Sequence, residues 1–310
     1  MRFAFAALAF TLVVFPALAD SPATGATFSV LEKSDVEYRR PADNESNSNH
    51  RRIDLYLPAG AKDFPVVLIV HGGAWMMGDK RWDQVPAIGR ELAKHGIGAV
   101  GVNYRLSPAV QHPEHIRNVA EAFAWVHQHI GEFGGRSDKI AVMGHSAGGH
   151  LVALLATDDR YLKAHGLSRE NVLAVIGISG VYQLSEMALN ALGQRRRPNA
   201  DGTPPPPLFE QIFGRRPDVA KDASPMSFVR SGLPPFLLIY AEKDLPTLAL
   251  QAMALHSALR AQKVDSNLMK VDGRNHGTVM WQASKPGDPV LAATIELIRK
   301  TAKQAAAEAR

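Results

Sequence analysis

Several stretches of this chain are apolar at nearly every position, and they recur at intervals that leave room for a helix between them. They are PVVLIV (Pro65–Val70), IGAVGVNY (Ile97–Tyr104), KIAVMG (Lys139–Gly144), VLAVIGIS (Val172–Ser179) and PFLLIYA (Pro235–Ala241). A strand covered on one face alternates apolar and polar residues, whereas a strand covered on both faces does not. These runs therefore predict the central strands of a parallel sheet. RIDLYLP (Arg52–Pro58) does alternate and predicts a half-exposed early strand, and SNLMKVDG (Ser266–Gly273) predicts the last one. Between the runs the apolar period lengthens. Ile116, Val119, Ala120, Phe123 and Ile130 fall on one stripe of a helix over Glu114–Ile130. Asp288 and Pro289 offer an N-cap and a first-turn proline to a closing helix through Ile298. The alternation predicts an α/β fold: a mostly parallel, twisted sheet of about eight strands with helices on both faces.

The rhythm breaks between residues 182 and 232, where RRRPNADGTPPPP (Arg195–Pro207) can enter neither a helix nor a sheet interior. The strand pattern resumes afterwards, so this segment predicts a cap or lid inserted into a single domain, residues 20–310. A second loop is expected at ADNESNSNHRR (Ala42–Arg52). The first 19 residues form a different pattern. Arg2, the apolar run Ala4–Phe15, the helix-breaking Pro16 and Ala17-Leu18-Ala19 read as a cleaved signal peptide ending before Asp20. A spanning helix needs about 20 apolar residues, and no later run is that long. The mature protein is expected to be exported, periplasmic or secreted, and not stably inserted in a membrane.

Composition narrows the classes further. Apolar residues make up 46% and charged residues 21%, the balance of a globular chain. The formal net charge of +5 comes from basic and acidic residues that are intermixed, which argues against a nucleic-acid partner. There are no cysteines, so disulfides, a catalytic thiol and thiolate-bound metal are excluded.

Two motifs sit at strand ends. KIAVM is followed by G-x-S-x-G (Gly144, Ser146, Gly148) and then by the apolar AGGHLVALLA, a strand–turn–helix context that lifts a serine to the carboxyl edge of a sheet. PVVLIV is followed by HGGAW, in which Gly72, Gly73 and Ala74 can turn backbone N–H groups into a cavity. With the Ala147 N–H beside the serine, they are candidates for an oxyanion hole. Tyr104 is a candidate for the substrate pocket, and Trp75 either lines that pocket or packs against the cap.

HGGAW, NYRLSP (Asn103–Pro108), GHSAGGH, YAEKD (Tyr240–Asp244) and GRNHG (Gly273–Gly277) occur in this order. Together they resemble the α/β-hydrolases of the small carboxylesterase and arylformamidase group, with BD-FAE-like esterases among them, from about Val30 to Arg299. The resemblance implies the α/β-hydrolase fold and a cofactor-free serine hydrolase acting on a small-molecule ester. Asn118 and Gln183 depart from it, standing where an aspartate is usual.

The base is expected from elsewhere than the two histidines of GHSAGGH, which read better as buried neighbours. His145 adjoins Ser146, so the two side chains diverge, and His150 lies along the helix that leads away from the sheet edge. His276 lies in a glycine-flanked loop after the last expected strand, and Asp244 ends PFLLIYAEKD. The order Ser146, Asp244, His276 is the nucleophile–acid–base order of α/β-hydrolases, and a parallel sheet brings all three to one edge. Asp272 and Glu242 are weaker candidates for the acid. His71 is expected to brace the glycine turn, and His112, His115, His127 and His129 to lie on or beside a polar helix face without metal-ligand spacing. Lys80 and Arg81 are expected to be solvated. The leading function is ester cleavage through an acyl-enzyme. Arylformamidase-type amide hydrolysis is the alternative on the same residues, and a non-catalytic binder on this scaffold is the alternative of another class.

Overall fold

The computed structural model describes residues 27–39, 48–82, 84–186 and 205–308. Each apolar run forms a strand: β3 (Phe64–Val70), β4 (Gly98–Val102), β5 (Gly135–His145), β6 (Val172–Ile178) and β7 (Phe236–Lys243). They are joined by β1 (Val30–Glu37), β2 (Arg52–Pro58) and β8 (Ser266–Asn275) in one eight-stranded sheet, ordered β1-β2-β4-β3-β5-β6-β7-β8. The pairings from β4 to β8 are parallel, and β2 pairs antiparallel with both β1 and β4.

The helices cover the sheet on both sides, which is why the central strands carry no polar alternation. They are α1 (Gln84–Lys94), α2 (Glu114–His129), α3 (Ala147–Thr157), α4 (Asp159–Lys163), α5 (Leu208–Phe213), α6 (Val219–Asp222), α7 (Leu248–Ala261), α8 (Thr278–Trp281) and α9 (Pro289–Glu308). Successive residues of a strand face opposite sides. Leu68, Val70, Val142, Val175 and Leu238 pack with α2, α3 and α7. Val67, Ile69, Met143, Ile176 and Ile239 pack with α1 and α9. The Asp288 cap is formed, with Val290 N–H donating to Asp288 Oδ1 at 2.9 Å, and the helix it opens runs ten residues past Ile298 to Glu308.

Two expectations are corrected here. RIDLYLP is buried along its whole length apart from Arg52, because α1 covers Tyr56 while Ile53, Leu55 and Leu57 join the opposite core. The strand is shielded laterally by β1, whose mostly polar sequence VLEKSDVE gave no apolar signal. A charged edge strand of this kind also discourages pairing with another chain.

Lys80 is not solvated; it is fully buried. Asp54, inside β2, is a buried carboxylate that requires a partner, and Lys80 Nζ lies 2.9 Å from its Oδ1 and 2.9 Å from Asp35 Oδ1. The bulge in β1 turns the Asp35 amide onto the same Asp54 oxygen at 2.7 Å. Arg81, half-exposed, pairs with Asp35 from outside.

Of the expected cap, α5 and α6 are described and bury Leu208, Phe209, Ile212, Phe213 and Val219. Residues 187–204, with Arg195–Pro204 of the proline-rich stretch, and the leader at 1–19 lie outside the described residues. No described helix is long and apolar enough to cross a membrane. Replacing Lys80 with Met should destabilise the fold by about 3–5 kcal/mol, because removing one partner strands a buried charge. A urea midpoint equal to that of the wild type would contradict this.

Candidate active site

The site starts from a steric constraint. A Cβ on Gly144 would lie 2.3 Å from the Gly148 carbonyl, and a Cβ on Gly148 would lie 2.1 Å from the Val70 carbonyl oxygen. Only glycine fits at either place, so β5 can pass into α3 in one sharp reversal. The residue at its apex, Ser146, has φ 55° and ψ −117°, a conformation that costs about 1–3 kcal/mol in a residue with a side chain. The Ser146 N–H donates to Ile178 O at 2.9 Å and its carbonyl accepts from the His150 N–H at 3.0 Å, so both sides of the turn are held.

β7 and β8 end at the same edge. His276 Nε2 is 3.0 Å from Ser146 Oγ, and His276 Nδ1 is 2.8 Å from Asp244 Oδ1. Ionised, the Asp244 carboxylate only accepts, so Nδ1 carries the proton and Nε2 offers a lone pair to the serine hydroxyl. The Asp244 side chain is 2% exposed and that of His276 is 21% exposed. Asp244 is therefore shielded, while His276 remains open to small molecules. Asp244 accepts three further bonds: from Ser179 Oγ at 2.6 Å, the Ala241 N–H at 3.1 Å and the Leu245 N–H at 2.8 Å. Burial by itself would raise this carboxyl. The bonds from His276, Ser179 and the two amides outweigh burial and hold it below the ordinary aspartate value.

The two weaker acid candidates do not reach the histidine. Asp272 is 79% exposed and pairs with Lys270, and Glu242 accepts from the Gly273 N–H at 2.8 Å. Ser179 escaped notice in the sequence. Its one signal is its place, as the last residue of the run VLAVIGIS, which ends at the carboxyl edge.

The HGGAW turn abuts Ser146: an atom added at the Cβ position of Gly72 would lie 3.3 Å from Ser146 Cβ. Gly73, Ala74 and Trp75 have φ of 111°, 51° and 57° in succession, and the Gly73 carbonyl accepts from the Met76 and Met77 N–H groups at 3.0 Å. Among the described residues, the N–H groups of Gly72, Gly73, Ala74 and Ala147 have no protein acceptor. A concave run of unpaired donors at a strand end suits an anionic oxygen.

Trp75 and Tyr104 do not line an open pocket in this structure. Trp75 is 2% exposed, donates from Nε1 to His150 Nδ1 at 3.1 Å and packs edge-on against Phe213 of α5. Tyr104 is fully buried, stacks on His71 and donates to the His71 carbonyl at 3.2 Å. Their polar atoms find partners inside, behind the turn, so both residues support it from below. His71 sits under the turn as expected, its Nδ1 2.7 Å from Gly72 O.

His112 and His115 are also buried, not on a polar face; His115 Nε2 lies 3.0 Å from Ser107 Oγ. His127 and His129 are partly exposed. No three His, Cys, Asp or Glu side chains gather as metal ligands among the described residues. Asn118 accepts at Oδ1 from the Arg105 N–H and Nε, at 3.1 and 3.0 Å.

A model of the BD-FAE family matches residues 53–259 of the chain. The chain is 34% identical over 220 residues to a probable carboxylic ester hydrolase, LipM, of Mycobacterium tuberculosis, an alignment covering 68% of this chain and 47% of that protein. It is 28% identical to an isoprenylcysteine alpha-carbonyl methylesterase of Arabidopsis thaliana, over 74% of this chain and 55% of that one. The chain thus spans about half the length of the curated relatives it matches. Among solved structures, a carbohydrate esterase from gut microbiota superposes with a TM-score of 0.71 at 20% identity, over 90% of this chain and 99% of that one. A hyperthermophilic esterase from Pyrobaculum calidifontis superposes with a TM-score of 0.65 at 26% identity, over 82% and 81%. The fold is that of the α/β-hydrolases.

Burial pushes His71, His112 and His145 down to about 4, and His115 and His150 down to about 3. Histidines in the unfolded chain titrate near about 6.5. Between that value and the folded values the unfolded chain binds more protons, so stability rises with pH there and is lost on acidification. Each such histidine contributes a loss of up to about 1.4 kcal/mol per pH unit below about 6.5, ending near its folded value. Urea midpoints should be level from pH 8 to 7 and fall steeply from pH 6 to 4.5; level midpoints down to pH 4.5 would be incompatible with five neutral buried rings.

Proposed function

This chain belongs to the BD-FAE family, and we propose that it is a serine hydrolase that cleaves carboxylic esters of small molecules through an acyl-enzyme. The observation that carries this reading is the relay Ser146 Oγ–His276 Nε2–Asp244, with contacts of 3.0 and 2.8 Å, on a turn that holds the serine at the sheet edge. Ser146 Oγ attacks the acyl carbon as His276 Nε2 takes its proton. The carbonyl oxygen becomes an oxyanion and accepts from Ala147 N–H and from the N–H groups of the Gly72–Ala74 turn. His276 then protonates the departing alkoxy oxygen, the C–O bond breaks, and the alcohol leaves an acyl-serine. Water repeats the sequence: it gives its proton to His276, attacks the acyl carbon and releases the acid, while Ser146 regains its proton from His276. Asp244, buried and ionised, keeps the Nδ1–H tautomer and stabilises the imidazolium formed twice per cycle.

The names of the relatives support ester chemistry, since LipM, the Arabidopsis protein and the Pyrobaculum protein are all named esterases or ester hydrolases. The leader motif in residues 1–19 supports export to the periplasm or beyond, and protein recovered from its host should then begin at Asp20 by intact mass.

A fluorophosphonate should label Ser146, and Ser146→Ala should lose both labelling and p-nitrophenyl acetate turnover, the latter by more than about 10⁴-fold. A folded, unlabelled wild type would refute the reading, and N-formylkynurenine turned over faster than esters would redirect it to amides. Ser179→Ala removes one bond to an ionised acid and should lower kcat by about 10-fold, as loss of roughly 1.4 kcal/mol does. An unchanged kcat would show that the remaining donors suffice to orient Asp244.

A further inference from the structure

His145 is the last residue of β5 and precedes the nucleophile, yet the chemistry above gives it no step. Its Nε2 lies 2.8 Å from the backbone carbonyl oxygen of His276. A carbonyl only accepts, so Nε2 carries the hydrogen and Nδ1 is left with a lone pair. Nδ1 lies 3.1 Å from where a Gly72 Cβ would stand, so the ring fills the space that any side chain at Gly72 would claim. One imidazole thus touches the donor turn, adjoins the nucleophile and bonds to the backbone of the base.

The other restraints on the base segment are of a different kind. Asn275 Oδ1 accepts from the N–H groups of Gly277 and Thr278 at 3.1 and 2.9 Å, within the loop itself. Arg274 is bound to Asp288, and the Gly273 N–H to Glu242, both at the loop's outer margin. Among the described residues, the His145 bond is the one that ties the His276 backbone to the strand carrying Ser146. The two rings lie 4.7 Å apart, tilted by 40°. At that separation a charge on His145 would oppose the imidazolium that forms on His276. Burial keeps His145 neutral through the neutral pH range.

We propose that His145 is a positioning residue whose Nε2–H tether to the His276 carbonyl sets the base imidazole at attacking distance from Ser146 Oγ. The kinetic consequence rests on the ester-hydrolase reading above; the tether does not. A displacement of about 1 Å in such a pair can cost about 10²-fold in rate.

The test compares two substitutions of similar length in the full chain. His145→Gln keeps an N–H donor at the same reach, and His145→Met removes it. In the Met variant kcat for p-nitrophenyl acetate should fall by about 10²-fold with KM nearly unchanged, and amides of residues 273–279 should exchange hydrogen faster while β5 and β6 exchange as before. The Gln variant should recover most of both. A folded Met variant with wild-type kcat and loop exchange overturns the proposal. So does a Gln variant as impaired as Met, since the ring's shape and not its donor would then matter. If Met does not fold, Gln decides alone: a folded Gln variant with slow turnover and a loosened loop refutes the tether. If the wild type neither hydrolyses esters nor takes the fluorophosphonate label, the ester reading fails, and the exchange comparison still judges the tether.

Discussion

The absence of room for a Cβ on either side of Ser146 is the constraint on which the rest of the site depends. Gly144 and Gly148 let the backbone of α3 pass within van der Waals contact of β5 and β3. That approach forces the residue between them into φ 55°. Strain at one residue is tolerable because the flanking strand, helix and backbone bonds overdetermine it. Its consequence is chemical: the hydroxyl stands at the carboxyl edge of the sheet, at the start of a helix, with unpaired N–H groups beside it. Parallel strands deliver their following loops to the same edge, so the ends of β3, β7 and β8 converge there without any further device.

Behind that edge several buried histidines hold neighbouring segments together. His150 accepts from Trp75 at Nδ1 and donates from Nε2 to the Ala223 carbonyl at 2.7 Å. One neutral tautomer thereby links the HGGAW turn, the helix after Ser146 and the segment that follows α6. His145 does the equivalent for the His276 loop, and His71 lies under the glycine turn. Neutral imidazole suits this work because it offers one donor and one acceptor at opposite corners of a rigid ring. The same property makes the arrangement sensitive to acid, since a protonated ring can no longer accept. The two histidines flanking Ser146 in GHSAGGH therefore have structural work on either side of it, and neither is hydrogen-bonded to its hydroxyl.

The central strands were legible because burial on both faces removes polar residues from a strand. The helical stripe over 114–130 was legible because burial on one face spaces apolar residues at the helical period. β1 was not legible, since an edge strand in contact mainly with β2 has little apolar surface to declare. Lys80 was misread for a related reason: a charged side chain in a loop carries no mark of its partners, and Asp54 and Asp35 belong to two other strands. Tyr104 was misplaced because a motif locates a residue along the chain but does not say which side of the turn its ring will take, and of the two readings open for Trp75 the structure has the one that packs against the cap, on Phe213 of α5. Here the indole and phenol groups found internal acceptors, and burial of large aromatic surface is favourable once the polar atom is satisfied.

By itself the sequence determined the fold class, the strands of the sheet core and the three residues whose order and strand-end positions suit a nucleophile, an acid and a base. Those features are local, because burial and turn sterics write themselves into residue type at the position concerned. The distances among Ser146, His276 and Asp244, the Ser179 bond to Asp244, the His145 bond to the His276 loop and the pairing of Lys80 were decided only in three dimensions. Each joins segments between 26 and 131 residues apart in the chain. A hydrogen bond between such segments depends on how whole strands register against one another, and no single stretch of sequence carries that information.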